Sequence, residues 1–149
     1  MPAKLGCGHF SDDELLAAVE TLQLNPADFH HADHLRVAWL YIRRYGPSSA
    51  EQRMLDAIRN LANHAGAPQK FLFTTTVAWA RLVAASMVAS DTHVTFVEWI
   101  AAQPHLLDAS LLDRYYSKGI LTSSPARNQW VEPDLTPLPS TNHAAASRD

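Results

Sequence analysis

Apolar residues in this chain recur every three or four positions, in runs that stop at glycine, proline or asparagine. That periodicity predicts helices joined by short turns. Leu15, Leu16, Val19 and Leu22 make the first stripe, opened by Ser11-Asp12-Asp13-Glu14 and closed by Asn25-Pro26. The opening has the S-x-x-E form of a capping box, in which the serine and glutamate side chains satisfy amide hydrogens left free at a helix start. A second helix is predicted from about Ala32 to Tyr45, with Leu35, Trp39 and Ile42 inward and Gly46-Pro47 as its stop. Ser48-Ser49-Ala50-Glu51 reads as another capping box. The third helix that follows carries Met54, Leu55, Ile58, Leu61 and Ala62 on one face and ends at Gly66.

Beyond the turn Gly66-Ala67-Pro68, a fourth helix is predicted over Phe71 to Ser90. Its apolar residues surround it, which marks a helix buried on most faces. The threonines and phenylalanines at its head favour extended backbone, so its first residue is left open. Thr95-Phe96-Val97-Glu98 is a third capping box, before a short helix with Trp99 and Ile100. Asp108 is expected to cap a sixth helix, with Leu111, Leu112 and Tyr115 inward and Gly119 past its end. Ser124-Pro125 fits an N-cap followed by proline at the first helical position. No run alternates with a period of two for long. The predicted fold is therefore an all-α, single-domain bundle of five to seven helices spanning residues 11–131. Residues 132–149 form a proline-bearing segment and then a small polar tail, with Ser140 to Asp149 expected to be disordered.

Composition narrows the classes. The chain has 149 residues, 47% hydrophobic and 18% charged, and a net charge of −3, as in an ordinary globular domain. There is no global basic field to hold nucleic acid phosphates, and Arg36, Arg43, Arg44 and Arg53 read as solvated surface. Cys7 is the single cysteine, which excludes an internal disulfide. Met1 to Gly8 is too short and polar for a signal peptide, and Val77 to Ala89 is too short and too interrupted to span a bilayer. A cytoplasmic protein without membrane or nucleic acid partners is expected, and a homodimer is left open.

The candidate chemistry is concentrated in His30-His31-Ala32-Asp33-His34, which holds three of the eight histidines at the start of the second helix. Imidazole titrates near neutral pH and is the commonest metal ligand. The pairs His30/His34 and His31/His34 are spaced to share one side of a helical turn. The alternative is structural: Asp33 suits a first turn, and His34 needs only a buried carbonyl to be satisfied. A metal would need further ligands, such as Asp108 or Asp113, and the chain has no H-E-x-x-H, C-x-x-C or paired E-x-x-H.

Phe29-x-His31-x-Asp33-His34-Leu35-Arg36-x-Ala38-Trp39-x-Tyr41 resembles the opening motif of a family of small, largely uncharacterised bacterial proteins. Arg114-Tyr115-Tyr116-Ser117 and the stretch from Ala126-Arg127 to Val131-x-Pro133-Asp134 extend the resemblance over roughly Leu15 to Leu138. It implies a helical architecture and candidate positions but no activity. It also implies a Tyr-His-Glu-Thr-like element at the head of the fourth helix, where this chain has Phe71-Leu72-Phe73-Thr74. Apolar groups thus stand where further polar ligands would.

Together these features predict an enzyme on a small organic substrate, without a metal or cofactor. His31 and His34 would move protons, with Asp33 and Tyr116 assisting, and Trp39, Leu72, Phe73, Thr76, Trp79 and Arg127 would hold the substrate. The largest cavity is expected between the first turn of the second helix and the head of the fourth. A non-catalytic ligand-binding or protein-interaction bundle is the first alternative, and a His-ligated metalloprotein the second. Cys7-Gly8-His9 lies in a terminus expected to be mobile, and Trp39, Trp79, Trp99 and Trp130 could line an aromatic pocket between helices.

Overall fold

The predicted stripes fold as helices in the computed structural model, which describes residues 7–87 and 95–139. The last predicted residues of the fourth helix, Val88 to Ser90, and the tail from Ser140 lie outside the described residues. The helices are α1 (Asp12–Glu20), α2 (His31–Tyr45), α3 (Pro47–His64), α4 (Phe73–Met87), α5 (Phe96–Ala101) and α6 (Ser124–Asn128). Four 3-10 turns accompany them: Pro26–Asp28, Pro68–Lys70, Pro104–Leu107 and Ala109–Arg114. Among the described residues there is no strand, so the chain is an all-α single-domain bundle. No helix among them is long and apolar enough to cross a membrane.

Three helices make the centre. α2, α3 and α4 pack on one another pairwise, α1 lies against α2 and α3, and α6 lies against α4. The inward stripe expected for α2 underestimates its burial. Val37 to Ile42 are buried without a break, so neighbours surround this helix on every side. Tyr41 goes inward with its hydroxyl satisfied, donating to Glu20 Oε2 at 2.8 Å. In α4 the expectation holds: Val77, Ala78, Ala80, Leu82, Val83 and Ala84 are all buried.

Local chemistry sets most of the boundaries. The Ser11/Glu14 and Thr95/Glu98 capping boxes form with both reciprocal hydrogen bonds. The box predicted at Ser48-Ser49-Ala50-Glu51 does not form. α3 begins at Pro47, directly after Gly46, whose φ of 88° and ψ of 162° are open only to glycine. Glu51 is thereby freed from a capping role, and its carboxylate takes Arg81 Nε of α4 at 2.7 Å. The segment after Asp108 winds as a 3-10 turn rather than an α-helix, although Asp108 caps it through Ser110 N–H as expected. At α6 the N-cap is Ser123, one residue earlier than predicted.

The arginines expected on the surface are engaged. Arg36 holds the N-terminal segment, donating to the carbonyls of Cys7 and Phe10 and to Asp12 Oδ1 at 2.9 Å. Arg44 pairs with Asp13, and Arg43 and Arg53 lie over the rings of Trp39 and Tyr45. Cys7 is correspondingly buried in the core instead of mobile, and burial pushes its thiol up to about 11. His9 lies tilted against the Phe10 ring, and Arg36 ties down the segment expected as a loose terminus.

Residues 132–139 pack onto the domain. Asp134 accepts from the Ser117 N–H at 2.9 Å and the Ser117 hydroxyl at 2.6 Å, and Leu138 rests against the core. Tyr116, placed at the site by the sequence reading, anchors this segment instead. It is 2% exposed, and its hydroxyl donates to the Val131 carbonyl at 2.7 Å. Burial first, and then the charge of Glu132, push the phenol up to about 12, so it keeps its proton. Tyr116→Phe would leave a buried carbonyl without its donor and should cost roughly 1–2 kcal/mol in denaturant unfolding. An unchanged midpoint would show that this hydrogen bond does not hold the segment.

Candidate functional site

Two helical stripes meet at the predicted place. On α2, His31, His34, Leu35 and Ala38 share one face, and across from them stand Leu72, just ahead of α4, and Thr75, Thr76 and Trp79 of α4. Each set has the i, i+3, i+4, i+7 spacing of one side of a helix. Met54 and Ile58 of α3 and Lys70 close the ring around a cavity of about 270 Å³. It is one of the smaller recesses rather than the largest. A wider groove of about 710 Å³ adjoins it, and the two share His34, Ile58 and Lys70 as walls. From there the groove runs along Phe29, Leu61 and Ala65.

The two histidines are held in different ways. His31 Nε2 lies 2.8 Å from the Leu106 carbonyl, and its ring meets Trp79 edge to face at 4.5 Å. A carbonyl only accepts, so Nε2 carries the proton and neutral His31 offers Nδ1 as its acceptor. His34 stacks on Phe29 with ring centroids 4.2 Å apart. Burial, aided by the charge of His31, lowers its pKa to about 4. It is therefore neutral at pH 7 and a weak base.

The three consecutive threonines divide the work. Thr74 donates to the Gln129 carbonyl at 2.6 Å and accepts from Val131 N–H at 3.0 Å, tying the C-terminal segment to α4. Thr76 donates to the Leu72 carbonyl at 2.8 Å. Thr75 Oγ1 is buried at the cavity and has no hydrogen-bond partner among the described residues. An unpaired buried hydroxyl costs free energy, and Thr75 keeps one uncommitted at the cavity wall.

Several predicted site residues lie elsewhere. Asp33 orients neither His31 nor His34. Its carboxylate accepts from His30 N–H at 2.8 Å and from Cys7 N–H at 3.3 Å, the helix-start role. Trp39 is 2% exposed and packs in the core beside Phe96 and Trp99, outside the cavity lining. Phe73 turns away from the cavity to pack edge-on against Phe71. Arg127 donates to the Gln69 carbonyl at 2.9 Å and does not reach the cavity. The aromatic pocket of four tryptophans does not form: only Trp79 lines this cavity, while Trp130 lies under Arg81.

His31, His34, Leu72, Thr76 and Trp79 are thus brought together as predicted, and Thr75, Lys70, Met54 and Ile58 join them unpredicted. Thr75 was within reach of sequence reasoning. Once Leu72, Thr76 and Trp79 share a face, position 75 is the remaining member of that stripe. Among the described residues, no group of three or more histidine, cysteine or acidic side chains is placed to hold a metal ion. No family model, no curated protein and no solved structure matches this chain.

Proposed function

We propose that the protein binds a small, largely apolar organic molecule in the cavity between α2, α3 and α4. The observation that carries this reading is the unpartnered Thr75 hydroxyl, buried beside two imidazoles in a recess otherwise walled by Leu35, Ala38, Met54, Ile58, Leu72 and Trp79. Apolar walls with a few convergent polar groups are the usual composition of a ligand site, and spaces between bundle helices are a usual place for one. A cytoplasmic setting belongs to the same reading.

Binding should be tested with indole and octanamide as probes, read by Trp fluorescence and thermal shift. Both are expected to raise the melting temperature in a concentration-dependent way. Thr75→Phe, which fills the cavity, should abolish the shift while far-UV circular dichroism remains helical. If neither probe shifts the wild type, or if Thr75→Phe responds as the wild type does, the cavity is not the ligand site.

An acid–base enzyme is the second reading, favoured by the fixed tautomer of His31. A base whose far nitrogen is held by a carbonyl is pre-oriented to accept a proton at the near one. In that case the chemistry rests on His31 alone, with His34 a neutral hydrogen-bonding group. His31→Ala would then lower turnover by about 10²- to 10⁴-fold, the usual share of one general acid–base group.

A further inference from the structure

Lys70 stands where the inner cavity and the outer groove meet, and it lines both. Its side chain is exposed at this junction, and no group among the described residues neutralises its charge there. Among the described residues its ammonium has no ion pair or hydrogen-bond partner, and no aspartate or glutamate lines either recess. The neighbouring cations are committed elsewhere: Arg59 lies over the Phe71 ring, and Arg127 donates to the Gln69 carbonyl. The chain as a whole carries a net charge of −3, so a junction with a lone lysine and no acid departs from its average surface. The apolar walls lie on either side of this charge, Ile58 and Leu72 inward and Ile58, Leu61 and Ala65 outward.

We infer that the ligand is an apolar monocarboxylate, its carboxylate held by Lys70 at the junction and its hydrocarbon body lying along the apolar walls. The inference rests on the ligand-site reading above and adds the charge of the ligand to it. The carboxylate oxygens can accept from the ammonium and also from the Thr75 hydroxyl, whose hydrogen is uncommitted. A phosphate would ask for more donors than one lysine supplies, and a bidentate arginine is absent from both linings.

Octanoate and octanamide share shape and length and differ in charge, so calorimetric titration of the full chain with each at pH 7 isolates the role of Lys70. Octanoate is expected to bind about three- to tenfold tighter, the size of one charge-assisted hydrogen bond at a partly exposed site. Lys70→Met, which keeps an unbranched apolar stem, should erase that preference, so that octanoate no longer binds tighter than octanamide. Equal affinities in the wild type, or a preference that survives Lys70→Met, would overturn the assignment of a carboxylate while leaving the ligand site standing. Failure of both probes to bind would overturn the ligand site itself, and this inference with it.

Discussion

Acidification from pH 7 towards pH 4 should remove on the order of 3 kcal/mol of folding stability through His34 alone. In the unfolded chain this imidazole titrates near 6.5, and in the folded domain at about 4, because burial disfavours the charged ring. Between those values the unfolded chain holds a proton that the folded chain does not, so protons favour unfolding. The contribution is fully present above pH 6.5 and is lost progressively as pH falls towards 4. Chemical denaturation at several pH values checks it, with His34→Gln as the comparison. The variant should lose the slope between pH 6.5 and 4 that the wild type shows. Asp108 and Asp134 do not confuse the window. Hydrogen bonds from Ser110 and Ser117 hold their carboxyls below the usual value of 3.8, so their contributions fade only at more acid pH. Parallel curves for wild type and His34→Gln over this window would show that the ring is solvated in the folded state.

The fold was more legible in the sequence than the site, for a physical reason. Helix starts and stops are local: a serine accepts from an amide three residues on, and proline or glycine sets its own φ, so neighbours alone decide them. The Ser11 and Thr95 boxes and the Gly46 break illustrate this. Where a local signal failed, a long-range partner or a second local rule had won. Glu51 looked like a capping residue, and Arg81, far along the chain, took it. Site membership is decided by which side of a helix faces which neighbour. His31, His34, Leu72, Thr76 and Trp79 followed from spacing within one stripe on each helix. Asp33 and Phe73 were adjacent to those stripes in sequence but about a hundred degrees away around the helix. Tyr116 and Arg127 come from a segment whose docking depends on Thr74 and on the Val131 and Gln69 carbonyls, and nothing local announces such bonds. Lys70 was missed for a related reason: it enters the site from a 3-10 turn that carries no helical stripe.

Truncating two tryptophans to alanine should separate core from site, and Trp39→Ala carries the largest expected effect on stability. Trp39 is 2% exposed, lies 5.7 Å from the Phe96 ring and 6.2 Å from the Trp99 ring, and supports Arg43 on its face. Its removal leaves a large cavity inside the most buried helix, and should cost about 3–5 kcal/mol. The side chain of Trp79 is half-buried at the edge of a recess that already exists, and its main aromatic contact is the edge-to-face one with His31. Trp79→Ala should therefore cost less, about 1–2 kcal/mol, while opening the ligand cavity on one side. Binding of octanamide should fall at least tenfold in Trp79→Ala, since the wall that excludes water is gone. In Trp39→Ala, studied under conditions where it is folded, octanamide affinity should stay close to that of the wild type. Equilibrium unfolding and titration on the same two variants give both readouts. If Trp79→Ala proves the more destabilising, the roles of the two rings are reversed. If it leaves octanamide affinity unchanged, the ligand does not occupy the space beside His31.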